Sequence, residues 1–133
     1  MRSELTIGKL ATAAEVNIET IRYYQRRGLL DEPDKPASGY RRYPAHMATR
    51  VRFIKRAQQL GFILEEVEGL LLLEDGQNCR ATRLLAERKL ALIEERIEDL
   101  FRMRRTLRQL IAECAKGRRP RTCPIIASLA AAV

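Results

Sequence analysis

A chain of 133 residues, 46% apolar and 32% charged, suffices for one compact domain or a small domain with an extension, which excludes a multidomain enzyme. Residues 1–60 carry 12 basic and 6 acidic side chains, residues 61–116 carry 10 and 11, and residues 117–133 carry 3 and none, for a formal net charge of +8. Positive charge gathered in the first half suits binding to a phosphate backbone, where each neutralised phosphate releases counterions, although a solvated basic face would show the same balance.

Thr6 is suited to cap a helix with Ile7, Leu10, Ala11 and Ala14 on one face, and Glu15-Val16-Asn17 breaks it. Asn17 then caps a second helix running through Ile18, Ile21 and Tyr24 to Arg27, with Gly28 as the left-handed stop and Leu29-Leu30 returning to the core. Two short helices joined by a tight turn predict a helix-turn-helix, whose second helix enters the major groove. Residues 31–43 hold Pro33, Pro36, Ser38 and Gly39 before Tyr40-Arg41-Arg42-Tyr43, a pattern that predicts a basic hairpin, or wing. Pro44 would open a third helix, Ala45 to Leu60, ended by Gly61, and Ile63 to Leu73 reads as a fourth. His46 stands near the start of the third helix with no ligand-like neighbour and is expected to be a surface residue.

From Cys79 to Lys116 there is neither Gly nor Pro. Apolar residues recur at Ala86, Leu90, Ile93, Ile97, Leu100, Leu107, Ile111 and Cys114 in steps of four and three, interrupted only by Arg104. Such a register predicts a coiled-coil helix on the order of 50 Å long that needs a partner strand, most economically a second copy of the chain.

Three cysteines without an export pattern make a disulfide framework a poor reading. Cys79 and Cys114 stand 35 residues apart on one rod and cannot share an ion within a chain. If two copies pair antiparallel, Cys79 of one meets Cys114 of the other, and Cys123 can fold back after Gly117 and Pro120 to join them. Parallel pairing would instead put Cys79 beside its own copy. Three sulfurs match soft metals and not calcium or magnesium, while each cysteine alone also suits a small buried apolar position. The last uncharged stretch, Thr122 to Val133, is about half a membrane span, so no membrane partner is expected and a cytoplasmic location is.

Thr6-Ile7-Gly8 with Leu10-Ala11, then Thr20-Ile21-Arg22-Tyr23-Tyr24-Gln25-Arg26-Arg27-Gly28-Leu29-Leu30 and Tyr40-Arg41-Arg42-Tyr43, closely resembles the DNA-binding head of the MerR family of transcription regulators. The remainder resembles the family's mercury-responsive members: Leu73-Glu74-Asp75-Gly76 before Cys79, then Cys114, then Cys123-Pro124-Ile125-Ile126-Ala127-Ser128-Leu129. The resemblance implies a mainly α protein, with a winged helix-turn-helix head and a long dimerisation helix forming an antiparallel coiled coil. It divides the chain into a DNA-binding domain 1–75, a linker and dimerisation helix 76–116, and a C-terminal metal-binding loop and tail 117–133.

By the same resemblance, Thr20, Arg22, Tyr23, Tyr24 and Arg26 on the recognition helix and Arg41, Arg42 and Tyr43 on the wing would contact promoter DNA. Cys79 of one subunit, with Cys114 and Cys123 of the other, would hold Hg(II) as the inducer ion. The apo homodimer would repress, and the metal-bound one would bend and underwind the promoter so that RNA polymerase can open it. Some relatives carry an extra Cys and His around the second ligand, where this chain has Ala112 and Ala115. Lead- or cadmium-responsive relatives share a three-cysteine spacing but often add Cys- or His-rich tails, which Ala130 to Val133 lacks. A thiol redox sensor is the alternative of a different class. An enzyme is not expected, since there is no phosphate loop or nucleophile elbow and a cysteine nucleophile would lack its base.

Overall fold

The computed structural model describes residues 4–74, 76, 78–117 and 124–130. Two compact units result, Met1–Asp75 and Gly76–Val133.

The first unit opens with strand β1 (Glu4–Leu5) and helix α1 (Ile7–Ala14). Thr6 caps α1 as expected, its Oγ1 accepting from the Lys9 N–H at 3.3 Å. Glu15 ends the helix in the left-handed region, φ 58°, an unusual conformation for a residue with a side chain. Asn17 Oδ1 then accepts from the Thr20 N–H at 2.8 Å to start α2 (Ile18–Arg26). Gly28 reverses the chain after α2 at φ 78°, delivering Leu29 and Leu30 to the core.

Residues 31–42 form an irregular loop and not the expected hairpin. Pro33 and Pro36 lack the N–H groups that a strand ladder requires. Strand β2 (Tyr43–Pro44) pairs antiparallel with β1 instead, Leu5 opposite Tyr43 and Glu4 opposite Pro44, so the wing is anchored to the chain's opening residues. Pro44 therefore belongs to this strand, and α3 begins at Met47, running to Gln59. Gly61 at φ 102° turns the chain into α4 (Leu64–Leu71), where Glu66 Oε1 accepts from the Ile63 N–H at 3.0 Å.

Every helix of this unit contributes its apolar stripe to one core. Leu10, Ala11 and Ala14 of α1, Ile21 and Tyr24 of α2, Val51, Ile54 and Ala57 of α3, and Leu64, Val67 and Leu71 of α4 are buried, with Leu29, Leu30 and Tyr43 between them. Two arginines of α3 donate to backbone oxygens of neighbouring segments, Arg50 to Leu29 in the turn after α2 at 3.2 Å and Arg52 to Ala13 at the end of α1 at 2.8 Å.

The second unit is built on the 37-residue helix α5 (Cys79–Ala115), about 55 Å long. Asn78 caps it, accepting from the N–H groups of Arg80 and Ala81 at 2.9 and 3.2 Å. Helix α6 (Pro124–Ala130) packs back on α5. The only buried α5 residue is Thr106, whose hydroxyl donates to the Arg102 carbonyl at 3.0 Å. The seam keeps its apolar residues in solvent: Leu90, Ile97, Leu100, Leu107 and Ile111 are all exposed. At 100° per residue, Thr106 lies on the other side of α5 from this stripe. Arg104, which interrupts the seam, folds its guanidinium over the Phe101 ring at 4.7 Å. No helix among the described residues is long and apolar enough to cross a membrane.

Candidate nucleic-acid interface and metal ligands

Helix α2 presents the expected contact residues in two groups. Arg22, Tyr23 and Arg26 face solvent, while Thr20 is half-buried and serves the cap, its hydroxyl donating to Asn17 Oδ1 at 2.9 Å. Arg22 Nη1 is bonded to Glu19 Oε1 at 2.9 Å. The Tyr23 ring stands between two guanidinium groups, Arg26 and Arg27, each 5.9 Å from its centroid, and its hydroxyl accepts from Arg27 Nη1 at 3.1 Å. Arg22, Tyr23 and Arg26 are thus held side by side on one exposed helix face.

Tyr24 and Tyr43, both expected on DNA, are core residues, each only 2% exposed. The resemblance placed them on DNA, but their rings pack inward and their hydroxyls are engaged with glutamines. Tyr24 donates to Gln58 Oε1 of α3 at 2.6 Å, and Tyr43 accepts from Gln25 Nε2 of α2 at 2.9 Å. Burial, and secondarily the neighbouring Tyr23, push the Tyr24 phenol above its ordinary value, so it stays a donor further into the alkaline range than a free tyrosine. The two tyrosines brace the recognition helix against α3 and β2.

On the wing, Arg42 is exposed, whereas Arg41 is half-buried. Arg41 donates through Nε to the Pro33 carbonyl at 2.9 Å and pairs with Glu32 at 3.5 Å, closing the loop on itself. Sequence reasoning missed Lys55, Gln58 and Gln59 of α3, which line an open groove with Asn17, Thr20, Tyr23 and Arg26. Only tertiary packing brings them there, so no local pattern signals it.

Cys79 begins α5 and Cys114 is its penultimate residue; both are free and exposed. The helix separates them by roughly 50 Å. Cys123, the third expected ligand, lies outside the described residues, as do Arg118, Arg119 and Arg121. Among the described residues no group of three His, Cys, Asp or Glu side chains could hold a metal ion. His46 is exposed at the entry to α3 and makes no side-chain cap.

Residues 5–74 match the family described as MerR HTH family regulatory protein, and residues 48–110 match the family described as MerR, DNA binding. The chain belongs to the MerR family. Within this family it is 54% identical to a mercuric resistance operon regulatory protein of Pseudomonas fluorescens, over 94% of this chain and 87% of that protein. A protein of the same name from Serratia marcescens is 52% identical over the same shares. Among solved structures it is similar to a transcription regulator of Ralstonia metallidurans in complex with lead(II). That likeness has a TM-score of 0.56 and 30% identity, and covers 94% of this chain and 98% of that one. The MerR family fixes the protein's class as a DNA-binding transcription regulator and not an enzyme.

Proposed function

We propose that this chain is an Hg(II)-responsive regulator of mercury-resistance genes, a homodimer that represses its promoter as the apo form and activates it when metal is bound. The observation that carries the reading is the position of two exposed thiols at opposite ends of one helix whose apolar stripe is uncovered. Cys79 and Cys114 differ by 35 residues, five heptads, so they share one register position along the seam. An antiparallel partner related by a two-fold axis between Arg96 and Ile97 brings Cys79 of one subunit to Cys114 of the other, and Cys123 of the second subunit completes the set. The names of the 54% and 52% identical relatives point the same way.

The donor set fits the ion. Three sulfurs select a soft, thiophilic metal, and Hg(II) bound there would supply a strong link between thiolates of different subunits. In this reading residues 1–75 grip the duplex, 76–116 dimerise, and 117–133 deliver Cys123 and basic residues to the site. Arg22, Tyr23 and Arg26 of α2 engage one groove face, supported by Thr20, Tyr24 and Tyr43 from within, while Arg41 and Arg42 hold the adjacent backbone. Only a difference in affinity between two DNA conformations can shift the promoter toward the form RNA polymerase opens. The chain's contribution is therefore the spacing and tilt of its two heads, set from the ends of α5.

A reporter driven by the cognate promoter, titrated with Hg(II), Pb(II) and Cd(II), tests the reading. The expected result is full induction by Hg(II) at the lowest concentration, with altered chemical cleavage of the operator centre only in the Hg(II) complex. Induction by Pb(II) where Hg(II) does little would favour the lead reading, which the lead(II) complex of the Ralstonia relative supports. Induction by peroxide with a disulfide formed would favour the redox reading.

A further inference from the structure

Two carboxylates stand among the basic residues of α2 and the wing, in neighbouring grooves. Glu19 Oε1 lies 2.9 Å from Arg22 Nη1 on the first turn of α2, with 70% of the glutamate side chain and 54% of the arginine exposed. Glu32 Oε1 lies 3.5 Å from Arg41 Nη2, with 54% and 39% exposed. Glu32 also lines one groove with Arg22, Gln25 and Arg26, so both carboxylates flank the same arginine. Pairs this open to solvent contribute little to folding, although Glu32, together with the Pro33 carbonyl, also holds Arg41 in its loop. Each carboxylate takes up anion-binding N–H groups of a guanidinium that could otherwise serve a phosphate.

We infer that Glu19 and Glu32 are specificity-determining residues, holding Arg22 and Arg41 away from phosphates on random DNA and releasing them on the operator. The inference rests on the DNA contacts assigned under the proposed function. On random duplex the head rides on phosphates alone. There an arginine exchanges one anion for another and gains little, while the freed carboxylate faces the backbone with like charge. On the operator the recognition helix seats against base edges. A guanidinium paired bidentately with guanine discriminates by roughly tenfold to a hundredfold. Glu19, on the first turn of that helix, can then accept from a cytosine amino group, so its charge is satisfied where on random DNA it is not. The carboxylates thus subtract more from non-specific than from specific binding.

The test uses the full chain, an operator duplex selected from a random library by the unsubstituted protein, and a scrambled duplex of the same composition, with affinities measured across a salt series. Glu19→Gln and Glu32→Gln should each tighten binding to the scrambled duplex by about threefold to fivefold. Each should steepen its logarithmic salt dependence by about 0.9, as one more arginine reaches a phosphate. Operator binding should gain less than half that factor, so the specificity ratio falls. Glu19→Asp and Glu32→Asp, which keep the charge, should restore the ratio, and adding Arg22→Ala to Glu19→Gln should abolish the gain. Equal tightening on both duplexes, or a gain that survives Arg22→Ala, would overturn the inference. Failure of the unsubstituted protein to select any sequence would overturn the DNA reading itself, and shows before any substitution is made.

Discussion

Replacing Ile97 with aspartate strikes the proposed dimer at its axis. Ile97 is 43% exposed in the single chain, and a two-fold axis between Arg96 and Ile97 sets it close to its own copy, so each substitution acts twice at one point. Burying the exposed part of each isoleucine is worth about 1 kcal/mol, or about 2 kcal/mol for the pair. Two carboxylates roughly 6 Å apart add about 3 kcal/mol of repulsion at an effective dielectric constant near 20. The total of about 5 kcal/mol weakens the dimer by roughly three to four powers of ten. Sedimentation equilibrium at micromolar concentration should then find a monomer for Ile97→Asp and a dimer for Arg105→Glu, which alters charge off the seam. A dimer constant for Ile97→Asp within tenfold of the unsubstituted value would refute the assignment of this stripe as the interface.

Other expectations concern the head. Ile54, with no exposed surface in the middle of α3, should cost about 3 kcal/mol when replaced by alanine, read as a shift in the head's urea midpoint. Glu15→Gly relieves a side chain held at φ 58° and should raise the melting temperature, with a gain of up to about 1 kcal/mol, whereas Glu15→Ala should give none. The Tyr24 phenol is raised above its ordinary 10.0 by folding, so its stabilising effect is complete below pH 10 and lost as pH climbs through the folded value. Alkaline unfolding followed by circular dichroism should therefore be less steep in Tyr24→Phe, which also forgoes the bond to Gln58 at about 1 kcal/mol.

What the sequence made legible was local. Thr6 and Asn17 declare the starts of α1 and α2, Gly28 and Gly61 the reversals after α2 and α3, and the unbroken run from Cys79 gives α5 almost to the residue. Caps, left-handed stops and helical periodicity act within a few residues, so composition and spacing record them. The β1–β2 ladder was not legible, because each strand has two residues and their partners lie far apart in the chain. The inward turn of Tyr24 was legible in its spacing from Ile18 and Ile21, and only the resemblance set it and Tyr43 on DNA. Their glutamine partners were not legible, because the packing of α2 on α3 and β2 brings Gln58 and Gln25 to their hydroxyls. Arg41 also read as a free contact residue, although the Pro33 carbonyl and Glu32 hold it in the loop.

Mixing two inactive chains tests the shared ion site most directly. A heterodimer of one Cys79→Ser chain and one Cys114→Ser chain keeps one complete set of three thiols across the subunits and destroys the other. Isolated by differential tags and titrated with Hg(II), it should bind one ion tightly and regain an inducible reporter, where either homodimer of variants binds none with that affinity. A heterodimer no better than its parents would mean that the thiols do not meet between chains.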